Sequence, residues 1–141
     1  MIDQKKSSRY REYIEAFYFA YREFTARPDR ILEERGLNRV HHRILYFIGR
    51  HPGIGVSELL DILKVSKQAL NVPLRQLIEM KLVERAQSEQ DRRIKQLRLS
   101  DSGAELEQEL TAVQMAHFED AMKPFPERTG NHWLDIMRAL K

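Results

Sequence analysis

The chain has no cysteine, which excludes a disulfide framework, a thiolate zinc site, a cysteine nucleophile and a cysteine-based peroxide sensor. It has no apolar run approaching the ~20 residues of a membrane span. Its first stretch, Met1 to Glu12, carries charges and serines where a signal core would be apolar, so a soluble, cytoplasmic protein is expected. Its six glycines are scattered. They form no phosphate-cradling loop and no Gly-x-Ser-x-Gly elbow, and there is no His-Glu-x-x-His, so nothing points to an enzyme.

What is present is an ordinary folding composition, 141 residues with 42% hydrophobic and 32% charged, sized for one reading module with accessory helices. The net charge of +3 is unevenly spread: residues 38–100 carry 12 Lys/Arg against 6 Asp/Glu, and the flanks 12 against 15. A basic centre between slightly acidic ends suits a surface that faces phosphates.

Hydrophobic periodicity predicts a first helix over residues 8–26, with Tyr10, Tyr13, Ile14, Phe17, Tyr21 and Phe24 on one face. Arg27-Pro28-Asp29 is expected to end or bend it, because proline disfavours helical geometry in the residue before it. Asn38 caps a second helix, whose apolar face is Val40, Ile44, Leu45, Phe47 and Ile48. A short helix over residues 56–63, with Ser57 as its cap, is followed by a Lys64-Val65 turn and by a helix from Ser66 towards Lys81. Two short helices across a tight turn make a helix-turn-helix, whose second helix can enter a major groove. Residues 82–87 and 94–99 then read as two strands around the charged tip Ser88–Arg93, a β-hairpin wing. A long helix from Ser102, in capping-box spacing with Glu105, runs to about Met122. Pro124 and Pro126 precede a final helix holding Trp133, Ile136, Met137 and Leu140. The expected fold is mainly α (α+β): a winged helix-turn-helix lobe with a two-stranded wing over residues 38–100, between N-terminal (1–37) and C-terminal (101–141) dimerisation helices. The dimer is expected because the terminal helices carry more apolar surface than one small lobe can cover.

The run from Val56 to Gly103 resembles the multiple-antibiotic-resistance regulator (MarR) family of bacterial transcription factors. The residues that carry the likeness are Val56-Ser57-Glu58-Leu59-Leu60, Leu63-Lys64-Val65-Ser66-Lys67-Gln68 and Leu77 to Arg85. The wing adds Asp91-Arg92-Arg93 and Leu97-Arg98-Leu99-Ser100-Asp101-Ser102-Gly103. The resemblance implies a homodimer whose terminal helices interlock while two winged lobes straddle a palindromic duplex. It also implies a repressor that is released by a small anionic or aromatic effector bound between those helices and the lobes. Two positions depart from the pattern. Lys81 stands where the family has glycine, and Pro73 falls inside the reading helix, so that helix either kinks or divides there.

Helix N-termini present side chains to base edges and N–H groups to phosphates. Ser66 is thus a candidate for a phosphate, Gln68 and Asn71 for an adenine edge, and Lys67 and Arg75 for phosphate or guanine. Arg92 and Arg93 at the wing tip suit a narrow minor groove, with Lys95 and Arg98 as lesser candidates, since strand alternation turns one of them away. The family's Asp-x-Arg pattern implies that Asp91 accepts hydrogen bonds from Arg93 and shapes the wing. Tyr10, Tyr13 and Phe17, with His42 and Arg43, are candidates for an effector pocket. No cofactor is expected. Adjacent helical histidines diverge by about 100°, so His41 and His42 cannot chelate one ion. A zinc-responsive regulator of the same fold and a winged module that binds protein are the alternatives, the latter opposed by the basic reading face.

Overall fold

The computed structural model describes residues 3–141. Helix α1 spans Gln4–Glu34, α2 Arg39–Arg50, α3 Val56–Leu63, α4 Lys67–Glu79, α5 Asp101–Met122 and α6 Glu127–Leu140. Three strands, β1 (Ile54–Gly55), β2 (Val83–Gln87) and β3 (Lys95–Leu99), form one antiparallel sheet in the order β1-β3-β2. The wing hairpin is thus part of a three-stranded sheet and not a free two-stranded ribbon. The extra strand escaped the sequence reading because two residues, Ile54 against Leu97 and Gly55 against Gln96, are too few to alternate.

The core gathers Ile44, Leu45 and Ile48 of α2 with Leu59 of α3, Leu70, Leu74 and Leu77 of α4, and Leu97 of β3. Leu32 of α1 and Leu106 and Leu110 of α5 join the same cluster, so the flanking helices are packed on the lobe at its base. Burial of leucines four and three residues apart on α4 makes it one helix through Pro73, as the amphipathic spacing requires. Pro73 cannot donate to the Ala69 carbonyl, so one rung of the ladder is missing, but the helix does not divide.

Several expected boundaries are corrected. Helix α1 runs unbroken through Pro28, because Pro28 and Leu32 are buried and Asp29 pairs with Arg39 at 2.9 Å, which holds this turn against α2. One lost rung, about 3 kcal/mol in an isolated helix, is offset by that packing. Gly36, at φ +71°, finally turns the chain, and the Leu37 N–H bonds back to the Leu32 carbonyl. The residue before α3 is Gly55, not Ser57, because β1 carries the chain in extended form up to that point. The cap of α5 is Ser100, not Ser102: its hydroxyl oxygen accepts from the Gly103 N–H at 3.0 Å. Helix α6 begins directly after Pro126 and holds Trp133, Ile136, Met137 and Leu140, as expected.

Ser100 does a second job. Its hydroxyl donates to the Lys81 carbonyl at 2.6 Å, and its backbone N–H donates to the Leu82 carbonyl at 3.0 Å. Both ends of the wing are therefore tied together at their root. Lys81 itself is left-handed at φ +61°, the conformation glycine would take without strain. Gly103 packs directly on this root, where a Cβ would run into the Leu82 carbonyl oxygen. The Leu-Ser-x-x-Gly run is thus a close backbone approach, the physical reason for its glycine.

Candidate functional site

The reading face begins with the exposed side of α4. Leu70, Leu74 and Leu77 face inward, which leaves Lys67, Gln68, Asn71 and Arg75 exposed on the stripe beside them. These four fall at the first, second, fifth and ninth positions of the helix, the first three within two turns of its N-terminus. Ser66 caps the helix by accepting the Ala69 N–H at 3.1 Å. Its own O–H remains a donor at the same spot, beside the first-turn N–H groups and the positive end of the helix dipole. Arg75 stays on the reading stripe because the helix continues through Pro73.

The wing tip is a folded turn. Ser88, almost fully buried, accepts from the backbone N–H groups of Gln90 and Asp91, and Ile94 and Asp91 close the loop by a backbone bond at 3.0 Å. The Asp91 carboxylate accepts from the Arg93 backbone N–H at 3.0 Å and from the Arg93 Nε and Nη2 at 3.2 Å each. The guanidinium beside it, and then the backbone bond, hold the Asp91 carboxyl below the usual carboxylate range. The side-on fork occupies two of Arg93's five N–H donors and aims the remainder into solvent, where the side chain is 90% exposed. Arg92 is exposed next to it. Lys95 and Arg98 lie on opposite faces of β3, as the pairings Gln87↔Lys95 and Glu84↔Arg98 require. The Arg98 guanidinium lies over Gly53, at the turn after α2.

A second feature is a cleft of about 390 Å³ between α1, α2 and α5. Its walls are apolar and aromatic (Phe24, Phe47, Met115, Phe118), and its polar groups include Arg39, His42, Arg43, Tyr21, Tyr46 and Gln114. Arg43 Nη2 donates a long bond, 3.4 Å, to the Tyr21 hydroxyl. Burial pushes the His42 imidazole below its ordinary value, against the pull of Asp29 and with a smaller push from Arg43. Of the expected pocket residues, His42 and Arg43 line the cleft, whereas Tyr10, Tyr13 and Phe17 do not. They stand further along α1, exposed beyond the edge of the lobe. Their places are taken by Tyr21 and Phe24, the last members of the same aromatic stripe, and by Arg39, Met115 and Phe118. The signal for the α5 pair was present in the three-residue spacing of Met115 and Phe118, but only the packing of α5 on α1 turns it toward the cleft.

Among the described residues no three of His, Asp and Glu gather in a metal-binding group. Among them, too, no helix is long and apolar enough to cross a membrane.

Comparison with known proteins agrees with this geometry. Residues 35–94 match the profile of the MarR family. The HTH-type transcriptional regulator PetP of Rhodobacter capsulatus is 46% identical over 113 residues, spanning 80% of this chain and 68% of PetP. Among solved structures, Streptococcus pneumoniae FabT in complex with DNA superposes with a TM-score of 0.82 at 20% identity, covering 93% of this chain and 96% of FabT. The crystal structure of MarR gives 0.71 at 25% identity, covering 89% and 86%. The protein is therefore a regulator and not an enzyme. The chain belongs to the MarR family of transcription regulators.

Proposed function

We propose that this chain is a homodimeric, sequence-specific DNA-binding repressor that works in the cytoplasm and is released by a small anionic, aromatic effector. The observation that carries the DNA reading is the division of α4 into a buried leucine face and an exposed face of Lys67, Gln68, Asn71 and Arg75, beside a wing whose Arg93 is pre-aimed by Asp91. Gln68 and Asn71 read base edges in the major groove, and Ser66, Lys67 and Arg75 hold phosphate or guanine. Arg92 and Arg93, with Lys95 behind them, follow the adjacent minor groove, where a preorganised arginine forfeits little side-chain entropy on binding.

Residues 38–100 act as the reading lobe, and residues 1–37 and 101–141 as dimerisation elements. The first half of α1 and the face of α6 support that division. Ile14, Phe17, Tyr18 and Phe19 each keep more than half of their surface, as do Ile136 and Leu140. Large apolar side chains left exposed on both terminal helices mark an interaction surface, and a second copy would bury them symmetrically. The cleft suits the effector because aromatic walls sit beside two guanidinium groups, Arg39 and Arg43.

The test is selection of duplexes from a random pool, followed by fluorescence anisotropy and sedimentation. A palindromic site, a two-to-one chain-to-duplex ratio and a dimer in free solution are expected. A monomer, or the absence of any selected duplex at low salt, would overturn the reading.

A further inference from the structure

One buried polar side chain serves neither the exposed reading stripe nor the cleft. His41, on the first turn of α2, keeps only 4% of its surface. Its Nδ1 accepts from the Asn38 backbone N–H at 3.0 Å, which closes the cap of α2 together with the Val40 N–H to Asn38 Oδ1 bond. Its Nε2 lies 2.7 Å from Oε1 of Gln76 on α4. Because Nδ1 is committed as an acceptor, the neutral ring carries its proton on Nε2 and donates it to Gln76. One imidazole thus joins the start of α2 to the reading helix.

The position of this tie matters. Gln76 follows Pro73 by three residues and Arg75 by one. Pro73 leaves the Ala69 carbonyl without its helical donor, so the ladder between the reading turn and the later half of α4 has a missing rung. Leucine packing fixes the inward face of the helix but is non-directional, and it limits rotation about the axis less sharply than a hydrogen bond does. The His41–Gln76 bond adds a directional restraint to α4, which stays one continuous helix through Pro73.

We propose that His41 is a positioning residue for DNA recognition: acting through Gln76, it fixes the rotation of α4 so that Gln68, Asn71 and Arg75 meet the groove together. It touches no DNA itself. The inference rests on the DNA-reading function above and deepens it by naming what holds the reading helix in register. The opposite side of α2 carries Arg39, His42 and Arg43 to the cleft, so the same short helix borders both features.

The experiment compares a duplex selected by the wild-type chain with a scrambled duplex of equal length, by fluorescence anisotropy. Gln76→Ala leaves the α2 cap intact and removes the tie. The preference for the selected duplex should fall by about five- to tenfold, two- to threefold for one partly exposed hydrogen bond in each protomer of the dimer, while the salt slope set by phosphate contacts stays unchanged. Gln76→Glu keeps an oxygen acceptor for Nε2–H and should recover most of the preference. If Gln76 instead touched a base directly, the added negative charge of Glu would deepen the loss. In nitrogen-resolved NMR the His41 Nε2–H should be slowly exchanging in the wild-type chain and exposed to exchange in Gln76→Ala. Preference within twofold of wild type in Gln76→Ala, or a His41 ring protonated on Nδ1, overturns the positioning role alone. A wild-type chain that selects no duplex overturns the DNA reading along with it.

Discussion

Replacing Gly103 by alanine should detach the start of α5 from the root of the wing. The added Cβ would collide with the Leu82 carbonyl oxygen and stand 2.9 Å from the carbonyl carbon. Both are backbone atoms, so no change of rotamer relieves the contact, and the helix start must slide away. That movement strains three bonds made at the same place: Ser100 N–H to Leu82 O at 3.0 Å, Ser100 Oγ–H to Lys81 O at 2.6 Å, and Gly103 N–H to Ser100 Oγ at 3.0 Å. At about 1 kcal/mol for each bond, with partial exposure of the buried Leu106 added, the loss is about 3–5 kcal/mol. That is a large share of the roughly 5–15 kcal/mol by which domains are stable. Urea unfolding at fixed protein concentration is the assay, since the proposed dimer would add to apparent stability. With slopes of about 1–3 kcal/mol/M, the midpoint should fall by about 1 M or more and the slope should stay unchanged. A loss below about 1 kcal/mol, the worth of a single hydrogen bond, would refute the close-contact reasoning.

Other outcomes follow from single contacts. Lys81→Gly relieves a left-handed residue at φ +61°, and after the entropy that glycine gains in the unfolded chain it should stabilise by about 0.5–1 kcal/mol. The melting temperature should then rise by a few degrees; a fall would contradict the strain. His42 has a folded pKa held below its unfolded value of 6.5 by burial. Its contribution is therefore intact above pH 6.5 and is lost as the pH falls through that value towards the folded one. His42→Gln should flatten this part of the stability-against-pH curve, and an unchanged acid slope would exclude His42 as its source. Asp91→Ala removes a negative charge from the wing proposed to face DNA, so simple electrostatics predicts tighter binding. The fork to Arg93 predicts weaker binding instead, and anisotropy at one salt concentration decides between them.

Much of this architecture was legible in the residues. Leu70, Leu74 and Leu77 announce a helix with one buried face, and Leu97 and Leu99 announce the strand after the tip. What escaped was decided by contacts distant in sequence. Pro28 reads as a helix end, yet burial and the Asp29–Arg39 pair keep α1 continuous. Ser100 and Ser102 are equally good caps by type, and only the end of β3 and the Lys81 carbonyl select Ser100. The aromatic stripe of α1 was visible, but which of its members face the cleft depends on where α5 crosses it, so Tyr21 and Phe24 line it and Tyr10, Tyr13 and Phe17 do not. The His41–Gln76 bond spans 35 residues and leaves no periodic trace at all.

If α4 and the wing together grip DNA, the salt dependence of binding must register the wing arginines. With a selected duplex, log Kobs should fall linearly with log salt for the wild-type chain. Removing Arg92 and Arg93 together deletes four arginines from a dimer on one duplex and should reduce that slope by about 3–4, at about 0.9 for each phosphate no longer neutralised. An unchanged slope in the double variant, or no duplex bound by the wild-type chain at low salt, would contradict that grip.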